Sequence, residues 1–341
     1  MFIFMSGILG EDAGLLFEQI GKELKETKWD WHLCFEVYAT FFVECFNESR
    51  NDEQVAIALS SFIPFPQTMT FDLSDEDLST GVSIVLKACG SFSQLQLPVH
   101  LALECSRVGG CDHLDDDALA DIIASNTQLQ TLSFSGCVLE EIRALLCKAL
   151  TVDSTLHSFT LEITEWISSW EVDDIIESLA ENKTLTTVTL KLPYEVLKSR
   201  VAMLGKGLSA ESPLTSVVLK IFGSWRETEA EDFKKILLNT SLTSLSLILF
   251  GDVQDSVITS VSEGLVANPS LKSLALTFYG KLSNTSVALL KDGFLGNRSL
   301  ESLELKVFGE LPTNWANISR TLASPPRGLL NNKSPADTID G

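Results

Sequence analysis

Two stretches of the chain read almost alike: NPSLKSLALTFYG, from Asn268 to Gly280, and NRSLESLELKVFG, from Asn297 to Gly309. Their first residues lie 29 positions apart. Self-similarity at a fixed period of this size is typical of proteins built from stacked repeats, each of which contacts only its neighbours. The sequence therefore predicts a solenoid rather than a single globular core.

The same spacing of apolar residues recurs along the chain. Seven units are clear, and in each the first leucine is followed three and five residues later by another apolar residue; they begin at Leu129, Leu156, Leu185, Leu214, Leu242, Leu271 and Leu300. Two less regular units are predicted around Phe71–Leu73 and Leu101–Leu103. The pattern L-x-x-L-x-L is typical of the leucine-rich repeat, with a strand at the leucines.

A second apolar pattern precedes the strands. Apolar residues stand 13, 10 and 6 positions before a first leucine, in the sets Val172/Ile175/Leu179, Val201/Leu204/Leu208, Ile258/Val261/Leu265 and Val287/Leu290/Phe294. Such offsets form one face of an α-helix. We therefore expect an α/β leucine-rich-repeat solenoid of 27–29-residue strand–helix units, a horseshoe with parallel strands on its concave side and helices on its convex side.

An asparagine stands three residues before the first leucine in five units, at Asn126, Asn182, Asn239, Asn268 and Asn297. Because asparagine tolerates the left-handed conformation that ends many helices, we predict that each is a helix C-cap. Asp153 and Glu211 take this position in two other units. Asn182 and Asn297 also begin N-x-S/T sequons, which the capping role explains without glycosylation.

The remaining parts of the chain do not repeat. Residues 1–67 carry apolar residues at helical spacing, among them Leu15 and Leu16, and we expect a helical lead-in that covers the first repeat. Residues 68–322 form the repeats, which are clear from 126 onward. Residues 323–341 are polar, contain Pro and Gly, and have no period, so a disordered tail is predicted.

Composition narrows the class of protein. The net charge is −21, with 25 Lys and Arg against 46 Asp and Glu, which excludes a nucleic-acid partner because such proteins present a basic face. Seven cysteines without framework spacing favour reduced thiols in a cytoplasmic protein. No stretch approaches the roughly 20 apolar residues of a membrane span, and the apolar N-terminus lacks the basic residues of a signal peptide.

No motif of the sequence indicates catalysis. Gly205-Lys206-Gly207 lacks the flanking residues of a phosphate-binding loop, and no nucleophile elbow or zinc-protease motif occurs. Cys105, Cys111 and His113 match the spacing of no zinc module. The sequence therefore predicts a protein that is not an enzyme, with no catalytic, cofactor-binding or metal-binding residues and no small-molecule substrate.

The exposed positions of the predicted strands are mostly small hydroxyl side chains, from Thr131 and Ser158 to Ser302. We interpret these side chains as packing within the sheet rather than as a ligand-binding surface, because Trp, Tyr and Arg, which are enriched at binding hot spots, are missing at these positions. Charged residues appear one step further along the strands, and they are Glu162, Lys191, Lys220 and Lys306.

An aromatic residue followed by glycine closes each of the late strands, at Phe222, Phe250, Tyr279 and Phe308. In ordinary repeats a buried Asn or Cys takes this position, as Cys137 does here. We expect the rings to be buried filler in the strand-to-helix loops, because an exposed row would form a large apolar patch. The alternative is an exposed row, and these four rings and the four charged residues are then the candidate partner-binding residues.

The 27–29-residue unit resembles the ribonuclease-inhibitor-like subclass of leucine-rich repeats. GILGEDAGLLF (Gly7–Phe17) and YATFFVECFNE (Tyr38–Glu48) are similar to the helical segment that precedes the repeats in NACHT-type NOD-like receptors. The resemblance implies the sensing and autoinhibitory half of an intracellular innate-immune receptor. Its partner would be a protein ligand or the receptor's nucleotide-binding module.

The nucleotide-binding module itself is absent from this sequence. We therefore expect a fragment, a truncated gene model or a short isoform. A stand-alone ribonuclease-inhibitor-like or GTPase-regulating scaffold on the same repeats is the alternative.

Overall fold

The computed structural model describes residues 14–16, 18–19, 68–72, 99–105, 123, 128–137, 140–152, 155–164, 169–193, 208, 213–222, 230–309 and 313. The chain divides into two compact units, Met1–Leu156 and His157–Gly341. Several predictions fall outside the described residues: most of the helical lead-in, the caps at Asn126, Asp153 and Glu211, the helix positions Val201 and Leu204, Cys111, His113, and the tail.

The first unit contains three parallel strands: β1 (Thr68–Asp72), β2 (His100–Cys105) and β3 (Thr131–Gly136), followed by helix α1 (Glu140–Thr151). Thr68 pairs with His100, and His100 pairs with Thr131. Strand β2 lies at the predicted Leu101–Leu103, whereas the register of β1 pairs Met69 and Phe71 with these leucines, two residues before the predicted Phe71–Leu73. Residues 14–16 and 18–19 are helical as expected, but Leu15 is exposed rather than on a buried face.

Within its described residues the second unit contains six strands and four helices. Its elements are β4 (Ser158–Ile163), α2 (Ser169–Glu181), β5 (Thr187–Pro193), β6 (Ser216–Phe222), α3 (Ala230–Leu237), β7 (Ser244–Phe250), α4 (Asp255–Ala267), β8 (Ser273–Phe278), α5 (Asn284–Gly296) and β9 (Ser302–Val307). The six strands are parallel and neighbours in chain order, and equivalent residues of successive repeats lie side by side. The predicted α/β leucine-rich-repeat architecture of strand–helix units is confirmed.

Burial follows the two apolar patterns of the sequence. Strands β2 to β8 bury every second residue, and the described helix positions predicted to face inward, such as Val172, Ile258 and Val287, are buried. The alternation has the period of a strand and the helix offsets have the period of an α-helix, so both apolar sets meet in one core. In β9, Leu305 and Val307 are half-buried.

The repeat asparagines differ from the prediction in their backbone. Asn268 and Asn297 follow helices α4 and α5, with φ −78° and ψ 121° and with φ −70° and ψ 132°. These angles are extended, so the predicted C-cap position of the two asparagines is confirmed, whereas the expected left-handed conformation is wrong. Both side chains are buried, as are those of Asn182 and Asn239, and their position is therefore explained by what their amides bind.

The side-chain amide oxygen of these asparagines stabilises the turn that leads from the helix into the next strand. Asn268 Oδ1 accepts hydrogen bonds from the backbone N–H groups of Ser270 at 2.8 Å and Leu271 at 2.7 Å. Asn297 Oδ1 accepts from Ser299 and Leu300 in the same way. Such a side-chain bond to the backbone two and three residues ahead replaces a backbone turn.

Each amide nitrogen reaches the preceding repeat. Asn268 Nδ2 donates to the carbonyl of Leu237 at 2.5 Å and to that of Asn239 at 3.1 Å. Asn297 Nδ2 donates to Leu265 at 2.6 Å and to Asn268 at 3.0 Å. Leu237 and Leu265 lie in the last turns of α3 and α4, where carbonyls lack partners within the helix. Asn268 and Asn297 therefore cap the helix of the preceding repeat, and the amide nitrogen of Asn297, which begins a sequon, is engaged in two hydrogen bonds.

A second polar link joins the starts of helices α4 and α5. The Asp255 carboxylate accepts hydrogen bonds from the hydroxyl groups of Ser283, at 2.6 Å, and Ser286. Ser283 is also the N-cap of α5 and accepts from the Ser286 N–H. The hydroxyl of Ser283 and then that of Ser286 hold the pKa of Asp255 below its ordinary value of 3.8.

We predict that Asn268→Ala lowers the free energy of unfolding by about 2–4 kcal/mol, because it leaves buried carbonyl and N–H groups without partners. The measurement is urea denaturation followed by circular dichroism. Asn284→Ala, at an exposed asparagine in the first turn of α5, is the matched control and is expected to change the free energy by less than about 0.5 kcal/mol. Equal losses in the two variants would contradict the capping role of Asn268.

Candidate functional site

The candidate surface is the face of the strands in the second unit that points away from the buried core, here called the helix-free face. Its outward residues are half-buried and lie in columns across the strands. The first column is Ser158, Thr187, Ser216, Ser244, Ser273 and Ser302, and register places its members opposite one another. The small hydroxyls thus lie on this face as predicted, and they form its smooth part.

The predicted charged residues lie two columns further along the strands. Lys191 Nζ is 2.5 Å from Glu162 Oε2 across β4 and β5, and Lys306 Nζ is 2.8 Å from Glu304 Oε1 within β9. Lys220 makes a different contact. Its ammonium lies 5.2 Å from the ring centroid of Phe222 and 5.7 Å from that of Phe250, within cation–π range.

Other ion pairs join successive repeats on the rest of the second unit. Lys234 pairs with Glu263 at 2.6 Å, and Lys272 pairs with Glu301 at 2.5 Å. The hydrogen bond that Lys234 donates to Glu263 raises the pKa of Lys234 above its ordinary value. These pairs tie neighbouring repeats together at exposed positions, so each contributes little to stability.

The aromatic row, Phe222, Phe250, Tyr279 and Phe308, is the most distinctive feature of the helix-free face. Successive ring centroids are 4.3, 4.2 and 4.7 Å apart, with interplanar angles of 21°, 2° and 9°. The exposed fractions of Phe222, Tyr279 and Phe308 are 40%, 45% and 51%. The expectation that these rings are buried filler is therefore wrong: three of the four stacked rings are exposed, and Phe250 is half-buried.

The reason is the length of the strand. In β6 and β7 the alternation continues for one more residue, so Phe222 and Phe250 fall on the outward side. In β3 it is interrupted at Gly136, whose φ of 143° turns the chain, and Cys137 enters the core. Val253 and Leu282, which are buried after β7 and β8, supply apolar contacts in the loops of the later repeats.

The glycines after Tyr279 and Phe308 let neighbouring repeats approach closely. A Cβ atom on Gly280 would lie 1.9 Å from the carbonyl oxygen of Gly251, and one on Gly309 would lie 2.3 Å from that of Gly280. The backbone of Tyr279 meanwhile donates to Leu249 at 2.9 Å, and that of Phe308 donates to Phe278 at 2.8 Å. The strand ends are therefore held at the separation at which the rings stack.

Sequence reasoning missed the neighbours of the row. Pro193 pairs in register with Phe222 and extends the column toward β5, and Ile248 and Thr277 occupy the charged column between Lys220 and Lys306. The repeat offset alone identifies these positions. They join the eight candidate residues into one continuous surface of rings, hydroxyls and ammonium groups.

Such a surface supplies apolar area and hydrogen bonds. Within the described ranges, no group of three or more His, Cys, Asp or Glu side chains is placed to hold a metal ion. No helix in that same part of the chain has the length and apolar character needed to cross a membrane.

No protein-family model and no curated protein matches the chain. Among solved structures, a Bacteroides fragilis protein determined as a structural-genomics target is similar at 15% identity and a TM-score of 0.46, over 75% of this chain and 71% of that chain. A chain of the yeast Rad7 and Elc1 complex is similar at 14% identity and a TM-score of 0.38, over 94% of each chain. Both TM-scores lie below 0.5, so neither likeness bears on the function of this chain.

We predict that Gly280→Ala destabilises the second unit by about 1–3 kcal/mol, because the added Cβ forces two backbone segments apart. The measurement is the free energy of unfolding in urea. Gly296→Ala is the matched control: its Cβ meets the end of the Val266 side chain at 2.8 Å, and alanine is the better helix former. A smaller loss at Gly280 than at Gly296 would show that the strand ends are not closely packed.

Proposed function

We propose that the chain is a non-enzymatic protein-interaction scaffold, and that the helix-free face of the second unit, with the aromatic row at its edge, is the surface that binds the partner. The observation that carries this proposal is the exposure of three stacked rings on one edge of a parallel sheet. Large aromatic side chains are enriched at the energetic centres of protein interfaces.

The geometry of the face supports a protein partner rather than a small molecule. The row crosses four strands, so its rings form a ridge and not a concave pocket of the kind that encloses small ligands. Rings held in a stack also lose little conformational entropy on binding, because their rotamers are already fixed. The hydroxyl columns beside the row supply hydrogen-bonding groups with short side chains.

We further propose that the scaffold is the sensing or autoinhibitory repeat half of an intracellular innate-immune receptor of the NOD-like type. The support is the sequence resemblance of Gly7–Phe17 and Tyr38–Glu48, together with the 27–29-residue period. In this proposal residues 1–67 are the receptor's helical segment, residues 68–322 are its repeats and residues 323–341 are a disordered tail. The partner is then a protein ligand or a nucleotide-binding module.

Loss of the exposed rings tests the binding surface. We predict that the triple variant Phe222→Ser, Tyr279→Ser and Phe308→Ser loses partner capture by about tenfold or more, because it removes the apolar anchors. The measurement is affinity capture on the immobilised full-length chain from extract of cells that express it, with quantitative mass spectrometry. Circular dichroism checks that the fold is kept, and Tyr279→Ser alone serves as the milder variant.

A matched control exists on the helical side. Leu238, Val266 and Leu295 lie in or directly after helices and have exposed fractions of 40%, 53% and 44%, close to those of the three rings. The triple variant with serine at these positions is expected to retain the partners. Partners that are lost equally in both triple variants, or in neither, would overturn the assignment of the binding surface.

The receptor proposal has its own test. We predict that the transcript upstream of the Met1 codon continues in frame into a sequence with a phosphate-binding loop, since the family joins such a module to its helical segment. The measurement is sequencing of the full transcript. An in-frame stop codon directly upstream of Met1 would contradict the receptor proposal and leave a stand-alone scaffold.

A further inference from the structure

The rings of the aromatic row offer their edges to a partner. The faces that neighbouring rings turn toward one another are covered, with centroids 4.2–4.7 Å apart and the Phe250 and Tyr279 rings parallel to within 2°. An aromatic ring is negative on its faces and positive at its edge. The exposed ring edges of the row are therefore apolar and slightly positive, which favours carboxylate oxygens as neighbours of these edges.

Lys220 adds a full positive charge next to the row. It lies opposite Lys191 in the register of β5 and β6, and like charges opposite each other on neighbouring strands are destabilising. Lys191 is compensated by Glu162, whereas the contacts of Lys220 within the described chain are the rings of Phe222 and Phe250. A carboxylate from a partner would relieve the repulsion and bind the ammonium.

The charge of the helix-free face differs from that of the chain. The outward charged residues of strands β4–β9 are three lysines and two glutamates: Lys191, Lys220, Lys306, Glu162 and Glu304. The chain as a whole has a net charge of −21. An acidic partner segment is thus repelled by most of the molecule and attracted at this face, which makes the position of binding selective.

The length of the row sets the size of the segment. Three centroid steps place the first and last rings about 13 Å apart, a distance that about four extended residues cover. We propose that the row receives a short extended segment of a partner protein in which apolar side chains lie on the rings and a carboxylate pairs with Lys220. This inference rests on the proposed binding function of the same face.

The test selects binding peptides from random sequences. A phage-displayed library of random ten-residue peptides is selected on the immobilised full-length chain, and the selected peptides are synthesised. We expect the selected peptides to contain Asp or Glu next to Leu, Phe or Trp. The affinity of these peptides for the chain should fall about fivefold in the Lys220→Gln variant, as is typical for loss of a partly exposed ion pair. Lys183→Gln, at an exposed lysine after helix α2, is the matched control and should leave affinity unchanged.

The outcomes separate this inference from the function on which it rests. One result is that the selected peptides require Phe222, Tyr279 and Phe308 but are basic or neutral, and bind the Lys220→Gln variant as tightly as the natural chain. That result would contradict the proposed carboxylate and would support the proposed binding surface. If Lys220→Gln and Lys183→Gln lower the affinity of the peptides equally, the effect is one of overall charge, and the proposed pairing of a carboxylate with Lys220 is also contradicted. Absence of any peptide that depends on the row overturns both proposals.

Discussion

The structure of the second unit depends on one hydrogen-bonded group, the buried asparagine amide between successive repeats. In Asn268 and Asn297 the oxygen turns the chain into its own strand, and the nitrogen binds the helix end of the preceding repeat. One side chain thereby fixes where a helix stops, where the next strand starts and how far apart two repeats lie. Buried amides are costly when they are unpaired, so the arrangement tolerates little displacement.

The surface follows from that constraint. Equal spacing brings equivalent residues side by side, and a residue type that recurs at the repeat period becomes a column on the sheet. Neighbouring strands lie about 4.7–4.9 Å apart, close to the 4.2–4.7 Å between ring centroids, so aromatic side chains at one column position stack. Gly280 and Gly309 permit the close approach of the strand ends. The exposed aromatic row is therefore a consequence of repetition on a parallel sheet.

The sequence predicted the structural features that follow from burial of apolar residues, and it missed two features that follow from local backbone geometry. Apolar periods of two and 3.6 identified the strands and helices, and residues such as Val172 and Leu274 are buried accordingly. Asparagine is compatible both with a left-handed cap and with a bridge to the preceding repeat, so residue type did not distinguish the two at Asn297. Phe222 and Cys137 both stand eight residues after a first leucine, yet Cys137 is buried, because a positive φ at Gly136 turns the strand. Backbone angles of this kind are not visible in a residue pattern.

The central claim is that the aromatic row faces solvent on the free chain, and hydroxyl-radical footprinting read by mass spectrometry tests it most directly. Ring oxidation depends on solvent access, and Phe278 and Phe294, which are 2% and 0% exposed, serve as internal references of the same kind. The structure predicts rapid oxidation of Phe222, Tyr279 and Phe308 and protection of the two reference rings. Protection of the row to the level of Phe278 and Phe294 would contradict the claim and return these rings to the core.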